Sequence, residues 1–144
     1  MSKKEIDDDK VIGHLTVKVQ GGKFTRDPYK KFKLTSPFVT LGFNGQKHQT
    51  AVHDYGGNSP VWGDKFDLEV KSSSEEMLVR LWNKDMDSNS IVGFTNIQLE
   101  ELTKEGERDI WVKILKDGQV IGQILMLATY KLNLDETTKK VIED

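Results

Sequence analysis

The chain has no cysteine among its 144 residues. That excludes a disulfide scaffold, a thiol nucleophile and thiolate zinc or iron–sulfur centres. It is consistent with a reducing compartment. Charge excess is also missing: 21 basic against 23 acidic side chains leave a net charge of −2, whereas a dedicated DNA-binding domain carries a basic surplus. No apolar run approaches the roughly 20 residues needed to cross a bilayer, and the opening MSKKEIDDDK is not a secretory leader. Gly-x-Ser-x-Gly and Gly-x-x-x-x-Gly-Lys-Ser/Thr are both absent, which removes the commonest nucleophile-elbow and phosphate-cradling motifs. Of three histidines, His48 and His53 stand five apart, so a regular strand would point them to opposite faces. His14 opens a separate strand. Enzyme activity is not expected, and neither is nucleic-acid binding.

What remains is one domain of ordinary size, with 36% hydrophobic and 31% charged residues. Its length suffices to bury roughly two-thirds of the unfolded surface without staples. Short runs with period-two alternation are separated by dense turn signals. They predict strands at 14–20, 37–43, 47–53, 61–70, 77–83, 91–99, 109–115 and 121–132. Leu15, Val17 and Val19 share one face; Trp62, Phe66, Leu68 and Val70 share another, interrupted by Asp64. Turns are expected at Gly21-Gly22, Asn44-Gly45, Gly56–Pro60, Ser72–Ser74, Asp87–Ser90 and Lys116–Gly118. Asn44-Gly45 is the signature of a two-residue hairpin, because both residues must take positive φ. Residues 98–106 could supply one or two helical turns ending at Gly106. The expected fold is all-β, an eight-stranded antiparallel sandwich over residues 13–132. Charged tails flank it at 1–12 and 133–144, the second able to form a short helix. Trp62, Trp82 and Trp111 are expected to pack in the core or at a sheet end.

The order of these pieces resembles the C2 domain family. Gly13–Val19 (GHLTVKV) resembles that family's opening strand, and Ser36–Leu41 (SPFVTL) its Ser-Asp-Pro-Tyr-Val segment. Asn58–Trp62 (NSPVW) is similar to its Asn-Pro-x-Trp corner, Leu78–Gly93 to its strand, acidic loop and Ile-x-Gly restart, and Gly122–Tyr130 to its last strand. Because strand counting starts at His14, the resemblance implies the circularly permuted, type II topology.

The resemblance also implies Ca2+ bound between loops at one end of the sandwich, since this hard cation takes about 6–8 oxygens. Carried over position by position, the metal set is Asp27, Asn83, Asp85 and Asp87. Ser36 and Asn83 stand where the family usually has aspartate, and Asn89 and Ser90 lie near a further acidic position. Three carboxylates then remain where calcium sensors of the family tend to have five, which implies weak affinity. An EF-hand reading of the same loop fails, with Ser90 in place of its glycine and Asn96 in place of its glutamate.

The segment 26–33 carries a second chemistry. Arg26, Lys30, Lys31 and Lys33 surround Tyr29 and Phe32, and basic groups near an anionic leaflet contribute about 1 kcal/mol each. The strand at 47–50 holds only Lys47 and His48, too little for a phosphoinositide-type basic patch. The sequence therefore points to a cytoplasmic, peripheral membrane module of signalling or trafficking that binds anionic phospholipid, with Ca2+ regulation weak or reduced. A calcium-independent protein–protein interaction module without lipid binding is the open alternative. The shared docking surface requires segment 26–33 and the Asp85–Asp87 turn to meet at one pole.

Overall fold

The computed structural model describes residues 10–25 and 34–133. Eight antiparallel strands form it: β1 Val11–Phe24, β2 Pro37–Phe43, β3 Gln46–Gln49, β4 Val61–Lys71, β5 Met77–Lys84, β6 Asn89–Ile97, β7 Gly106–Lys116 and β8 Gln119–Leu132. One short helix, α1 Leu99–Leu102, joins β6 to β7. The strand order is β3-β2-β5-β6-β7-β8-β1-β4. At the centre of that order β6 and β7 pair only through Phe94 and Leu115, so two four-stranded layers face each other across this corner. The fold is the expected all-β sandwich.

Alternation fixes what lies between the layers. Leu15, Val17 and Val19 of β1 pack with Val39 and Leu41 of β2, Val79 and Leu81 of β5, Ile114 of β7, and Ile124 and Met126 of β8, all within one buried cluster. Asp64 interrupts the apolar face of β4 for a specific reason: its Oδ2 accepts the Ala51 N–H at 2.8 Å, tying the β3–β4 connection to that strand. Asn44 and Gly45 take φ of 53° and 71°, as a two-residue hairpin requires. Asp117 and Gly118 do the same between β7 and β8.

Several expectations are corrected. Gly21-Gly22 is not a turn, because β1 runs through it to Phe24, with a register shift between Val19 and Gly21. A Cβ on Gly21 would stand 2.7 Å from the Pro60 carbonyl oxygen, so this glycine permits a close backbone approach within a strand. The third strand ends at Gln49 rather than residue 53, since the Thr50 hydroxyl accepts the Val39 N–H at 3.0 Å and closes the ladder. Leu99 starts the helix instead of ending β6, and the helix covers only Leu99–Leu102. Gly106, with φ 96°, opens β7 rather than closing that helix.

Candidate functional site

Strand direction decides which loops are neighbours. Phe24 at the end of β1 pairs with Gly122 near the start of β8, and Pro37 at the start of β2 pairs with Asn83 near the end of β5. Val61 at the start of β4 lies opposite Gly21. Hence the β1–β2, β3–β4, β5–β6 and β7–β8 connections all emerge at one pole. The Asn44-Gly45 turn, residues 72–76 and α1 occupy the other.

Hydrogen bonds staple the pole together. Asn83, 4% exposed, is the central group. Its Oδ1 accepts the N–H groups of Thr35 and Ser36, each at 2.9 Å, and its Nδ2 donates to Asp85 Oδ1 at 3.2 Å. Lys84 N–H donates to the Ser36 carbonyl at 2.9 Å, and Asp85 N–H closes the β5–β6 turn on the Ser88 carbonyl at 2.8 Å. The β3–β4 connection joins in: Tyr55 N–H donates to Ser36 Oγ at 3.1 Å, Gly57 N–H to the Thr35 carbonyl at 3.1 Å and His53 N–H to the Pro37 carbonyl at 3.1 Å. His53 Nδ1 accepts the Val61 N–H at 2.9 Å, so this imidazole shapes the loop. On the other flank, Thr25 N–H donates to the Ile121 carbonyl at 2.8 Å.

Asp27 and the proposed lipid-contacting residues Arg26, Tyr29, Lys30, Lys31, Phe32 and Lys33 lie outside the described residues. Their neighbours on both sides do not. Thr25 sits beside β8 at this pole, and Thr35 and Ser36 are held by Asn83, directly beside Asp85. The chain thus enters and leaves segment 26–33 at the end of the sandwich that presents Asp85 and Asp87.

The metal chemistry of the described part is limited. Asp85 and Asp87 are exposed carboxylates two apart in the turn. Asn83 Oδ1 already satisfies two backbone donors, and Ser36 Oγ, at a usual carboxylate position of the family, accepts from Tyr55. Among the described residues, no group of three or more His, Cys, Asp or Glu is placed to hold a metal ion. Of the expected metal set only Asp85 and Asp87 are described carboxylates, short of the 6–8 oxygens that Ca2+ takes.

Sequence reasoning missed two side chains at the same pole. Met86, between the two aspartates, is fully exposed, and Tyr55, with φ 58°, is 90% exposed. The signal was available: an unbranched apolar residue inside Asp-Met-Asp, and a lone aromatic in the polar run His53–Ser59. The tryptophans also divide. Trp62 donates its Nε1–H to the Pro37 carbonyl at 3.0 Å, and Trp82 stacks on Phe38 and donates to Thr40 Oγ1 at 2.9 Å. Trp111 instead stands half exposed on the outer face of β7, against the expectation that it packs. Among the described residues, no helix is long and apolar enough to cross a membrane.

The C2 domain family model matches residues 6–114. Synaptotagmin-5 of Arabidopsis thaliana is 27% identical over 121 residues, covering 77% of this chain and 20% of its own length. Synaptotagmin-2 of the same plant is 27% identical over 151 residues, covering 94% of this chain and 27% of its own. The chain therefore spans only about a fifth to a quarter of the curated relatives it matches. Among solved structures, a C2 domain of plant extended synaptotagmin 1 superposes with a TM-score of 0.71 at 16% identity, covering 88% of this chain and 99% of that one. A C2 domain-containing protein from a putative elicitor-responsive gene gives 0.72 at 23% identity, with 87% and 93% covered.

Proposed function

As this chain belongs to the C2 domain family, we propose that it is a peripheral docking module for anionic phospholipid surfaces, working through the pole that Asn83 organises. The observation that supports this most is the clamp itself. One buried side chain fixes the exit of segment 26–33 and the acidic turn side by side, leaving Met86 and Tyr55 projecting fully or nearly so. Between the flanks anchored at that pole, the sequence carries Arg26, Lys30, Lys31 and Lys33 with Tyr29 and Phe32. Four such cations give about 4 kcal/mol of attraction to an anionic leaflet before ordering costs. Burying a methionine side chain such as Met86 adds up to about 1.5–3 kcal/mol.

Calcium has a secondary place in this reading. Asp85 and Asp87, with Asp27, would be its protein ligands, and bound there it would neutralise their charge against lipid phosphate. Because only two carboxylates of the expected metal set, Asp85 and Asp87, are among the described residues, docking is expected to need little or no calcium. Asn83 serves to position the loops. No catalytic role is assigned. Human cytosolic phospholipase A2 of group IVD is a structural neighbour at 15% identity, but this chain covers only 18% of it, which concerns fold alone.

The test is sedimentation with phosphatidylserine vesicles, first in calcium and then in chelator. The expected result is pelleting under both conditions, changing by less than about threefold. Absence of pelleting in both would defeat the proposal. Pelleting only with calcium would defeat the calcium-independent part of it.

A further inference from the structure

The outer face of the β7-β8-β1-β4 layer carries a feature that the loop pole does not account for. Because Val112 and Ile114 point into the core, Trp111 and Lys113 point out of β7. Because Ile124 and Met126 point in, Gln123 and Leu125 point out of β8. The register then sets Lys113, Gln123 and Lys23 in one row across three strands, with Trp111 and Leu125 in the next. Trp111, Val120, Gln123 and Lys23 line one hollow of about 540 Å³, floored by Phe24 and Gly122. Trp111 and Val120 are each 51% exposed. Neither lysine makes an ion pair among the described residues, and no carboxylate lines the hollow. The nearest acids in sequence are Asp109, two residues from Trp111 on the same face of β7, and Asp117 at the β7–β8 turn. The hollow runs directly into the loop pole, for its rim residue Thr25 begins the connection to segment 26–33.

One row farther from the pole the character changes. A second depression gathers Lys18, Lys65 and Arg108 together with Glu107 and Asp109. Three cations there stand beside two carboxylates, and Arg108 is also paired with Glu101 at 3.7 Å, so carboxylates offset most of the positive charge and the cationic and aromatic strip is densest in the half of the face beside the loops. An indole half out of water, with two unpaired cations in the row on its pole side, is the composition that favours the headgroup zone of a bilayer.

We propose that Trp111, Val120, Lys23 and Lys113 form a second contact with the anionic phospholipid surface, so that the sandwich lies tilted on the membrane with this side face turned toward it. The inference rests on the docking reading above and adds the orientation. With both contacts engaged, the outer face of β7 and β8 lies nearer the leaflet than the β3 edge.

The test uses the full chain and vesicles of phosphatidylserine in brominated phosphatidylcholine. Quenching in the wild type minus quenching in Trp111→Phe isolates the signal of Trp111. The expected result is bromine quenching of that difference signal. The pair Lys23→Gln and Lys113→Gln should weaken partitioning about 30-fold, at about fivefold per lysine, with the thermal unfolding midpoint unchanged. If the wild type pellets, but Trp111 is unquenched and the lysine pair pellets like the wild type, the side contact is overturned while loop docking stands. If Met86→Asp pellets normally while the lysine pair does not, loop docking falls and the side contact stands. A wild type that never pellets overturns both. A soluble acidic peptide that shifts Trp111 emission when vesicles do not would overturn the lipid assignment.

Discussion

Replacing Asn83 by aspartate probes the clamp and the calcium question together. In the wild type, Asn83 Nδ2 donates to Asp85 Oδ1 at 3.2 Å. An aspartate at position 83 would turn that donor into an oxygen facing a carboxylate. Two unit charges about 4 Å apart repel by about 1 kcal/mol in water and by about 4 kcal/mol at an effective dielectric of 20. Asp85 is exposed, which argues for the lower part of that range. The lost hydrogen bond adds about 1 kcal/mol. The retained oxygen still accepts from Thr35 and Ser36, now with charge assistance that returns about 1 kcal/mol. Placing a carboxylate charge at a position only 4% exposed adds a desolvation cost of at least about 1–2 kcal/mol, so the balance is a destabilisation of about 2–4 kcal/mol, or a midpoint lowered by about 5–15 °C for a domain of this size. Millimolar Ca2+ should reverse it, because the substitution supplies a third carboxylate next to Asp85 and Asp87. Thermal unfolding in chelator and in calcium, on the wild type and the variant, measures both effects. A variant as stable as the wild type in chelator, or one that calcium does not touch, would refute the reasoning.

Three further outcomes are expected. Met86→Ala should weaken partitioning onto phosphatidylserine vesicles about tenfold without altering the unfolding midpoint, the fold-change that about 1.4 kcal/mol represents; vesicle titration checks it. Gly93→Ala should destabilise by about 1–3 kcal/mol in chemical denaturation, because its Cβ would stand 2.7 Å from the Leu115 carbonyl oxygen where the two layers join. The Tyr130 phenol is pushed above its ordinary pKa of 10.0, first by burial and then by Glu105. A native pKa raised above the unfolded one gives stability that is complete below pH 10 and declines as pH rises through the native value. Unfolding midpoints between pH 9 and 11 should therefore fall more steeply for the wild type than for Tyr130→Phe.

Much of the architecture was legible because the two-residue period survives in each strand. Pro37–Phe43 came out with the bounds that its sequence implies, and Asn44-Gly45 turned as its φ requirement demands. The failures share a physical origin. Gly21 and Gly22 read as punctuation, yet Gly21 is in the strand because the Pro60 carbonyl leaves no room for a Cβ. The strand after Asn44-Gly45 looked longer than it is because a side-chain hydroxyl, on Thr50, ends the ladder, and no periodicity records that. At the pole, the acidic turn was legible from its composition. Asn83 was singled out for its place among oxygen ligands, but its role in holding Thr35 and Ser36 depends on a partner 47 or 48 positions away. Trp111 could have been placed correctly: Val112 and Ile114 face inward, so its place in the alternating set Asp109, Trp111, Lys113 already put it on the outer face.

The absence of cysteine makes the decisive measurement simple. A single cysteine at position 86, carrying an environment-sensitive fluorophore, would report the pole, and one at position 73 would report the opposite end. With phosphatidylserine vesicles holding nitroxide-labelled acyl chains, in chelator, the account expects a blue shift and quenching at position 86 with neither at position 73. Quenching at position 73 with none at position 86, or no response at either, would contradict it.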